Sequence, residues 1–350
     1  MTSRQNRLRA ARFGRPEHIP LNLGLGPVAW SQYPHDRLQE LMAAHPVLYP
    51  GFTPAAPPTV PEPAPWRRAG VAYTDSWGCV WETNEDGITG AVTRPALARW
   101  EDLADWTPPN PEEHNGWGPI DWATIARGLE RAGRNGSLRS GGLRHGHTFL
   151  TLSYLRGYEN LTYDLADGDP RFLRLLDTVE QFNAGLVRRY LDLEIEWMSY
   201  PEDLGMQRGP MVSPAHMARY FAPVYRRLMA PARAAGCVVH MHSDGDVRAL
   251  ADQLLGAGVD VLNLQDLVNG LDWIESELKG KVCIDLDLDR QSVTRFGTPA
   301  QIDAHVRRCV EQLGSRDGGL MLTYGLHRGV PLENLAALMD AMERYAGYWS

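Results

Sequence analysis

The sequence predicts an α/β fold: a (β/α)8 TIM barrel formed by one domain over residues 1–350, with an inserted β-hairpin and long loops in its N-terminal half. Two observations carry this. In the second half, short apolar runs alternate with longer amphipathic stretches, the pattern of a parallel sheet with helices outside it. Polar residues of similar chemistry also recur just past the ends of those runs, where a barrel gathers its loops at one mouth. The chain has 350 residues, enough for a barrel of about 250 residues plus insertions.

The elements follow in order. A charged helix over 4–13 precedes a first strand at 19–23. Residues 50–65 are rich in proline, which removes backbone donors and rules out a helix or a central strand. Residues 73–93 alternate around Trp77 and Trp81 and contain Asp86-Gly87, a hairpin-turn dipeptide. A second proline-rich connection covers 106–117. Strands are expected at 138–143, 195–200, 237–242, 260–264, 282–286 and 320–323. A long helix over 172–191 leads into the strand at 195–200, and helical patterns at 214–235, 247–257, 271–278 and 299–313 separate the later strands. A helix over 332–348 closes the chain. The alternative is a doubly wound open sheet, which usually carries a glycine-rich phosphate loop after its first strand. Gly24-Leu25-Gly26-Pro27 lacks the third glycine and puts Pro27 where an N–H is needed, so no dinucleotide site is expected there.

Composition narrows the function. A net charge of −8 and the lack of a basic tract argue against a nucleic-acid partner. Lys279 and Lys281 are the only lysines, so Schiff-base chemistry has almost no candidates. The cysteines Cys79, Cys237, Cys283 and Cys309 form no CxxC pair, which argues against a thiolate zinc knot and suits a reducing compartment. The arginine-rich start, Arg4 to Arg12, lacks the apolar core of a secretory signal. It reads as a charged first helix, with an organelle transit peptide as the alternative. No apolar run approaches the roughly 20 residues of a membrane span, and a cytoplasmic location is expected.

His240-Met241-His242-Ser243-Asp244-Gly245-Asp246 is the most informative segment, because it reads as strand, turn and helix start. Side chains two apart on a strand share a face, so His240 and His242 point the same way, with His240 deeper. Two imidazoles beside carboxylates suit a metal site or an acid–base site. The bland alternative is a polar turn in which Asp244 or Asp246 caps the next helix. At other strand ends stand Arg144, His145 and His147; Glu202 and Asp203; Gln265 and Asp266; Asp287 and Asp289; and Tyr324 and His327. Such an acidic, histidine-bearing mouth suits zinc, manganese or iron. The candidate catalytic residues are His242, Asp244, Asp203, His327 and Tyr324. The candidate metal ligands are His242, Asp244 and Glu202. Asp287, Gln265, Trp77 and His147 are expected to meet substrate. Tyr324 can equally be a packed core aromatic, and Asp287 can pair with an arginine in the barrel wall.

The order of motifs resembles the uroporphyrinogen decarboxylase superfamily, which includes cobalamin-dependent methyltransferases. Asp75 with Trp77-Gly78-Cys79-Val80-Trp81 is similar to the family's D-x-W-G hairpin. The acidic segment Glu202-Asp203-Leu204-Gly205-Met206-Gln207 stands ahead of a Ser213-Pro214 helix start, as in the family. His242-Ser243-Asp244-Gly245 is similar to the methyltransferases' H-x-C-G metal motif, and Gly258-Val259-Asp260-Val261-Leu262-Asn263 to the next strand. Pro331-Leu332-Glu333-Asn334-Leu335 is similar to the P-x-E-N-[IL] start of the last helix.

The departures refine what the resemblance implies. Decarboxylases carry an N-terminal M-R-Q-A-G-R segment whose arginine holds substrate carboxylates; here the region reads Leu21-Asn22-Leu23-Gly24-Leu25-Gly26. The methyltransferases' zinc is held by one histidine and two cysteines. His242 matches the histidine, Asp244 replaces one cysteine, and the stretch from Tyr324 to His327 holds no second. The expectation is demethylation of a small methylated substrate, with zinc or another divalent metal, or a bare acid–base pair, at the barrel mouth. No corrinoid-binding D-x-H-x-x-G motif occurs, so the corrinoid would be carried on a separate partner protein. The alternatives are decarboxylation of a carboxylic acid and a non-catalytic ligand-binding barrel.

Overall fold

Every apolar run expected to be a strand is one. The structure, a computed structural model, describes residues 1–56 and 61–350, so part of the proline-rich stretch at 50–65 lies outside the described residues. The strands are β1 (Leu21–Gly24), β2 (Tyr73–Thr74), β3 (Val80–Glu82), β4 (Ala91–Arg94), β5 (Ser140–Gly142), β6 (Trp197–Asp203), β7 (Val238–Asp244), β8 (Val261–Gln265), β9 (Cys283–Asp287) and β10 (Leu320–Gly325). The chain divides into two compact units. One holds Met1–Arg68, Glu85–Ile88 and Asn263–Ser350, and the other Ala69–Asn84 and Thr89–Leu262.

In the first unit, β1, β10, β9 and the end of β8 lie in that order, and β1–β10 and β10–β9 pair in parallel. The helices Pro299–Leu313 and Leu332–Ala346 pack on each other. The first begins with a capping box, in which Thr298 and Gln301 each bond the other's backbone N–H. The asparagine of the P-x-E-N-[IL] segment has a structural task. Asn334 Nδ2 donates to the carbonyls of Thr294 (3.0 Å) and Gly297 (2.8 Å), tying the last helix to the turn before Pro299.

In the second unit, β7, β6 and β5 lie in that order, all parallel. The helix Pro170–Asp192 starts with proline and an Asp169 cap, and buries a stripe that includes Phe172, Leu175, Val179, Phe182 and Leu186. The segment expected as a hairpin forms three antiparallel strands, β2-β3-β4, with Tyr73 opposite Trp81 and Val80 opposite Arg94.

The parallel strands number seven among the described residues, against the eight of a closed barrel. The interval between β4 and β5 contributes no strand to the parallel set. Prolines interrupt 107–111, and the remainder folds as the helix Trp122–Arg134, capped by Asp121. The first helix runs Ser3–Ala11, as expected of the arginine-rich start. No helix among the described residues is long and apolar enough to cross a membrane.

β6 and β7 extend to Asp203 and Asp244, beyond their expected ends at 200 and 242, and the parity of these extensions builds the site. Their register sets Ser199 beside His240, Pro201 beside His242 and Asp203 beside Asp244. These six residues are all partly exposed, whereas Tyr200, Glu202, Met241 and Ser243 on the opposite face are buried. That is the two-residue period of a strand.

Candidate functional site

The carboxyl ends of β6 and β7, with the loop after β5, assemble one cluster in the second unit. Asp203 closes β6, and its Oδ1 lies 3.3 Å from His145 Nε2 and 3.5 Å from His242 Nε2. The same oxygen accepts the backbone N–H of Asp244 at 3.1 Å. Asp244 Oδ1 lies 3.9 Å from His242 Nε2, at the rim. The two imidazole rings stand 5.5 Å apart. One ligand atom from each of His145, Asp203 and His242 falls within 4.8 Å of the others. Burial opposes ionisation of Asp203, but hydrogen bonds and charge from His145 and His242 outweigh it and hold the carboxyl well below the usual carboxylate range. Asp203 is therefore an anion at neutral pH.

Backbone contacts fix this geometry. The loop Arg144-His145-Gly146-His147 turns at Gly146 (φ 74°), whose N–H donates to the Pro201 carbonyl at 2.9 Å. That bond sets His145 beside the end of β6. After the strands, Gly205 and Gly245 pass backbone against backbone. Gly205 N–H donates to the Asp244 carbonyl, and Asp246 N–H to the Met206 carbonyl. A Cβ on Gly245 would stand 2.2 Å from the Gly205 carbonyl carbon, and Gly245 has φ 84°. Gly245→Ala is accordingly expected to cost a few kcal/mol and to displace Asp244. Thermal unfolding together with divalent-metal affinity checks this; an unchanged melting temperature would contradict it.

Asp246 is not the cap of the next helix, whose N-cap is Val247 without a side-chain cap bond, but it is structural. It binds the Arg248 backbone and guanidinium, and the hydrogen bond from Arg248 brings its carboxyl down to about 2.

Glu202, expected as a metal ligand, does not join the cluster. Being one residue before Asp203, it faces the helices. Its carboxylate accepts the N–H groups of Thr148 (2.6 Å), Phe149 (2.8 Å) and Leu150 (3.3 Å) at the start of the helix Phe149–Arg156. Tyr225 Oη adds a fourth bond at 3.3 Å. Burial pushes the carboxyl up to about 7, against the pull of those N–H groups. His147, expected to meet substrate, is fully buried 3.7 Å from Glu202, and burial pushes it down to about 3. Its Nδ1 pairs with Thr148 Oγ1 at 2.6 Å. Trp77, also expected at substrate, is buried against Phe182 and Trp106.

His240 lies two residues behind His242, with Nδ1 3.0 Å from Ser199 Oγ and its ring against Trp197. The remaining candidates belong to the first unit. Gln265 and Asp287 end β8 and β9 and are buried, with Asp287 3.1 Å from Arg290. That is the arginine pairing weighed for it from sequence. Tyr324 is a buried aromatic whose hydroxyl lies 3.0 Å from Thr294 Oγ1, and burial pushes the phenol up to about 12. His327 is exposed in the loop after β10.

Four residues outside the candidate set, His145, Arg144, Asp75 and Tyr154, add to the site and its surroundings. His145 was visible only as one of several polar residues after a strand. Arg144 forms a buried ion pair with Asp75 at 3.0 Å, donates to the Gly116 carbonyl at 2.6 Å, and lies over the Trp117 ring at 4.3 Å. Its Nε and Nη2 find no partner among the described residues. Asp75 spends its other bonds on Trp77 N, Cys79 N and Trp81 Nε1, which pins β3. Tyr154 has its phenol raised by burial, lowered by Arg144 and raised further by Glu202, Asp203 and Asp75, so its ring stands within the field of this cluster.

The uroporphyrinogen decarboxylase (URO-D) family profile matches residues 75–345. No curated protein matches the chain in sequence. Among solved structures, a methyltransferase from Methanosarcina mazei superposes with TM-score 0.63 at 14% identity, covering 99% of each chain. A B12-independent methionine synthase from Shewanella sp. W3-18-1 gives TM-score 0.44 at 10% identity over 67% of this chain and 69% of that one. A D-psicose 3-epimerase from Clostridium cellulolyticum H10 gives 0.37 at 11% identity over 65% and 84%. At these identities the first likeness is one of fold, and the other two are too distant to carry an argument.

Proposed function

The chain belongs to the uroporphyrinogen decarboxylase family, and from that footing we propose that it demethylates a small oxygen-linked methyl donor, passing the methyl to a corrinoid carried on a separate protein. The observation that carries this reading is the cluster of His145, Asp203 and His242 at the strand ends. The methyltransferase likeness supports it at the level of fold, and family membership supports a barrel around the site.

Two imidazole nitrogens and one carboxylate oxygen fit a divalent ion such as zinc, manganese or iron. His145, Asp203 and His242 would hold it, and when bound it supplies Lewis acidity to a substrate oxygen. The chain's own residues do the rest. As the C–O bond of a methyl ether breaks, the methyl leaves toward the corrinoid and the oxygen keeps the bonding electron pair. That oxygen needs a proton. With the cluster free of metal, Nε2 of His145 or His242 donates that proton, and the anionic Asp203 steadies whichever ring carries positive charge; with a metal held there those nitrogens would be its ligands and the proton would come from water. Asp244, with Oδ1 3.9 Å from His242 Nε2, adds negative charge at the rim.

A second reading, decarboxylation of a small or tetrapyrrole carboxylic acid, draws on the unpartnered Nε and Nη2 of Arg144. One experiment separates the two. Purified protein is incubated with reduced free cobalamin and either methoxylated phenols or methanol, with methylcobalamin followed by absorbance, and in parallel with uroporphyrinogen while released CO2 is measured. Methylcobalamin formation that depends on His242 supports methyl transfer. CO2 release without it overturns that reading.

A further inference from the structure

A second cluster, in the first unit, has no part in the chemistry above. Asp266 begins the turn after β8, and its buried carboxylate is held in place by Leu267 N (2.5 Å) on Oδ1 and Asp289 N (3.1 Å) on Oδ2. His305 and Cys309 project from the helix Pro299–Leu313 four residues apart, so they share one face. His305 Nε2 lies 2.6 Å from Asp266 Oδ2 and 3.7 Å from Cys309 Sγ. A carboxylate oxygen and a sulfur thus converge on a single ring nitrogen. That nitrogen has only one lone pair or one hydrogen to offer, so as a hydrogen-bond partner it serves one of the two well. As a set of ligands it is well matched, with one oxygen, one nitrogen and one sulfur atom all within 4.8 Å of one another.

We propose that Asp266, His305 and Cys309 form a binding site for a zinc-class divalent cation, separate from the strand-end cluster of the second unit. Mixed oxygen, nitrogen and sulfur donors suit zinc, with a fourth position left for water or another small ligand. The bonds from Leu267 and Asp289 supply the outer support that orients a ligating carboxylate. Access comes from an open groove that His305 lines together with Ser292, Phe296, Gln301 and Arg308. Arg308 on that rim is engaged with Asp272 at 3.2 Å. Binding removes the Cys309 S–H proton to solvent and leaves His305 with its hydrogen on Nδ1.

Cobalt(II) is the probe, because a Co(II)–thiolate bond gives a near-ultraviolet charge-transfer band and the His145–Asp203–His242 cluster contains no sulfur. Titration of the full chain is expected to raise that band. Cys309→Ala should abolish it and His305→Gln should weaken it severely. His242→Ala should leave it intact, so that failure of the strand-end site and failure of this one are told apart. Circular dichroism of each variant establishes that it is folded, and if Cys309→Ala is not, the His305→Gln titration decides. Absence of the band in the wild-type protein, or its persistence in Cys309→Ala or at full strength in folded His305→Gln, overturns the proposal.

Discussion

Asp203→Asn is expected to abolish divalent-metal retention at the strand-end cluster and to lower turnover on the order of 10²-fold or more, while the protein stays folded. The side chain is the shared partner of His145 and His242, and asparagine keeps an acceptor for the Asp244 N–H while removing the charge. A carboxylate that is 31% exposed and ends a strand carries little core packing. Loss of the charge does remove the stability linked to its depressed carboxyl, which is present at neutral pH and lost as pH falls below the usual carboxylate range, so a lower melting temperature at neutral pH accompanies the loss of metal. His242→Ala and His145→Ala should follow the same pattern. Asp244→Ala should cost less than either, because the Asp244 carboxylate stands 3.9 Å from His242 Nε2 and its backbone N–H bond to Asp203 survives the substitution. Metal analysis after dialysis, paired with the methylcobalamin assay, checks all four. Full metal content and turnover in Asp203→Asn would remove the cluster from the reaction.

Part of this arrangement is legible in the sequence. The strand–helix alternation was legible because each apolar run is bounded by turn residues, and all seven expected parallel strands are present. His242 was legible because it stands two residues after His240 on a β-branched run. The exact ends of β6 and β7 were not. Pro201 argues against continuing a central strand, and Ser243-Asp244-Gly245 reads as a turn, yet both strands run on to Asp203 and Asp244. Without those last residues the parity at 202 and 203 is undefined, so both acids looked like site residues. β5 is a three-residue strand of serine and glycine, which gives no apolar pattern to align the following loop. His145 therefore had no stronger claim than His147. The Arg144–Asp75 pair joins residues 69 apart, which local spacing does not reveal.

Parity also makes Glu202 the opposite kind of residue from its neighbour. Glu202→Ala is expected to destabilise the protein by about 3–5 kcal/mol, with loss of soluble protein at moderate temperature. The carboxylate is fully buried and receives three consecutive backbone N–H groups at a helix start as well as the Tyr225 hydroxyl. Alanine leaves these donors without partners inside the protein. It also removes the neighbour of the buried His147. The pH dependence carries a second signature. Burial raises the folded-state pKa of Glu202 to about 7 from 4.5, so the folded protein binds this proton more tightly than the unfolded chain. The associated stability is fully present below the unfolded value and is lost as pH rises through about 7. His147 works the other way. Its depressed value of about 3 gives stability that is present above 6.5 and lost as pH falls toward 3. Glu202→Gln keeps the main acceptor oxygen and removes the titration. It should fold with a moderate loss and should no longer weaken between pH 5 and 8 on the order of 3 kcal/mol, as the Glu202 contribution to wild type does. Chemical denaturation of wild type and both variants across that range measures the difference. If Glu202→Ala matches the wild-type midpoint, or if Glu202→Gln keeps the wild-type slope with pH, the carboxylate does not hold the helix start and its place in the metal cluster reopens.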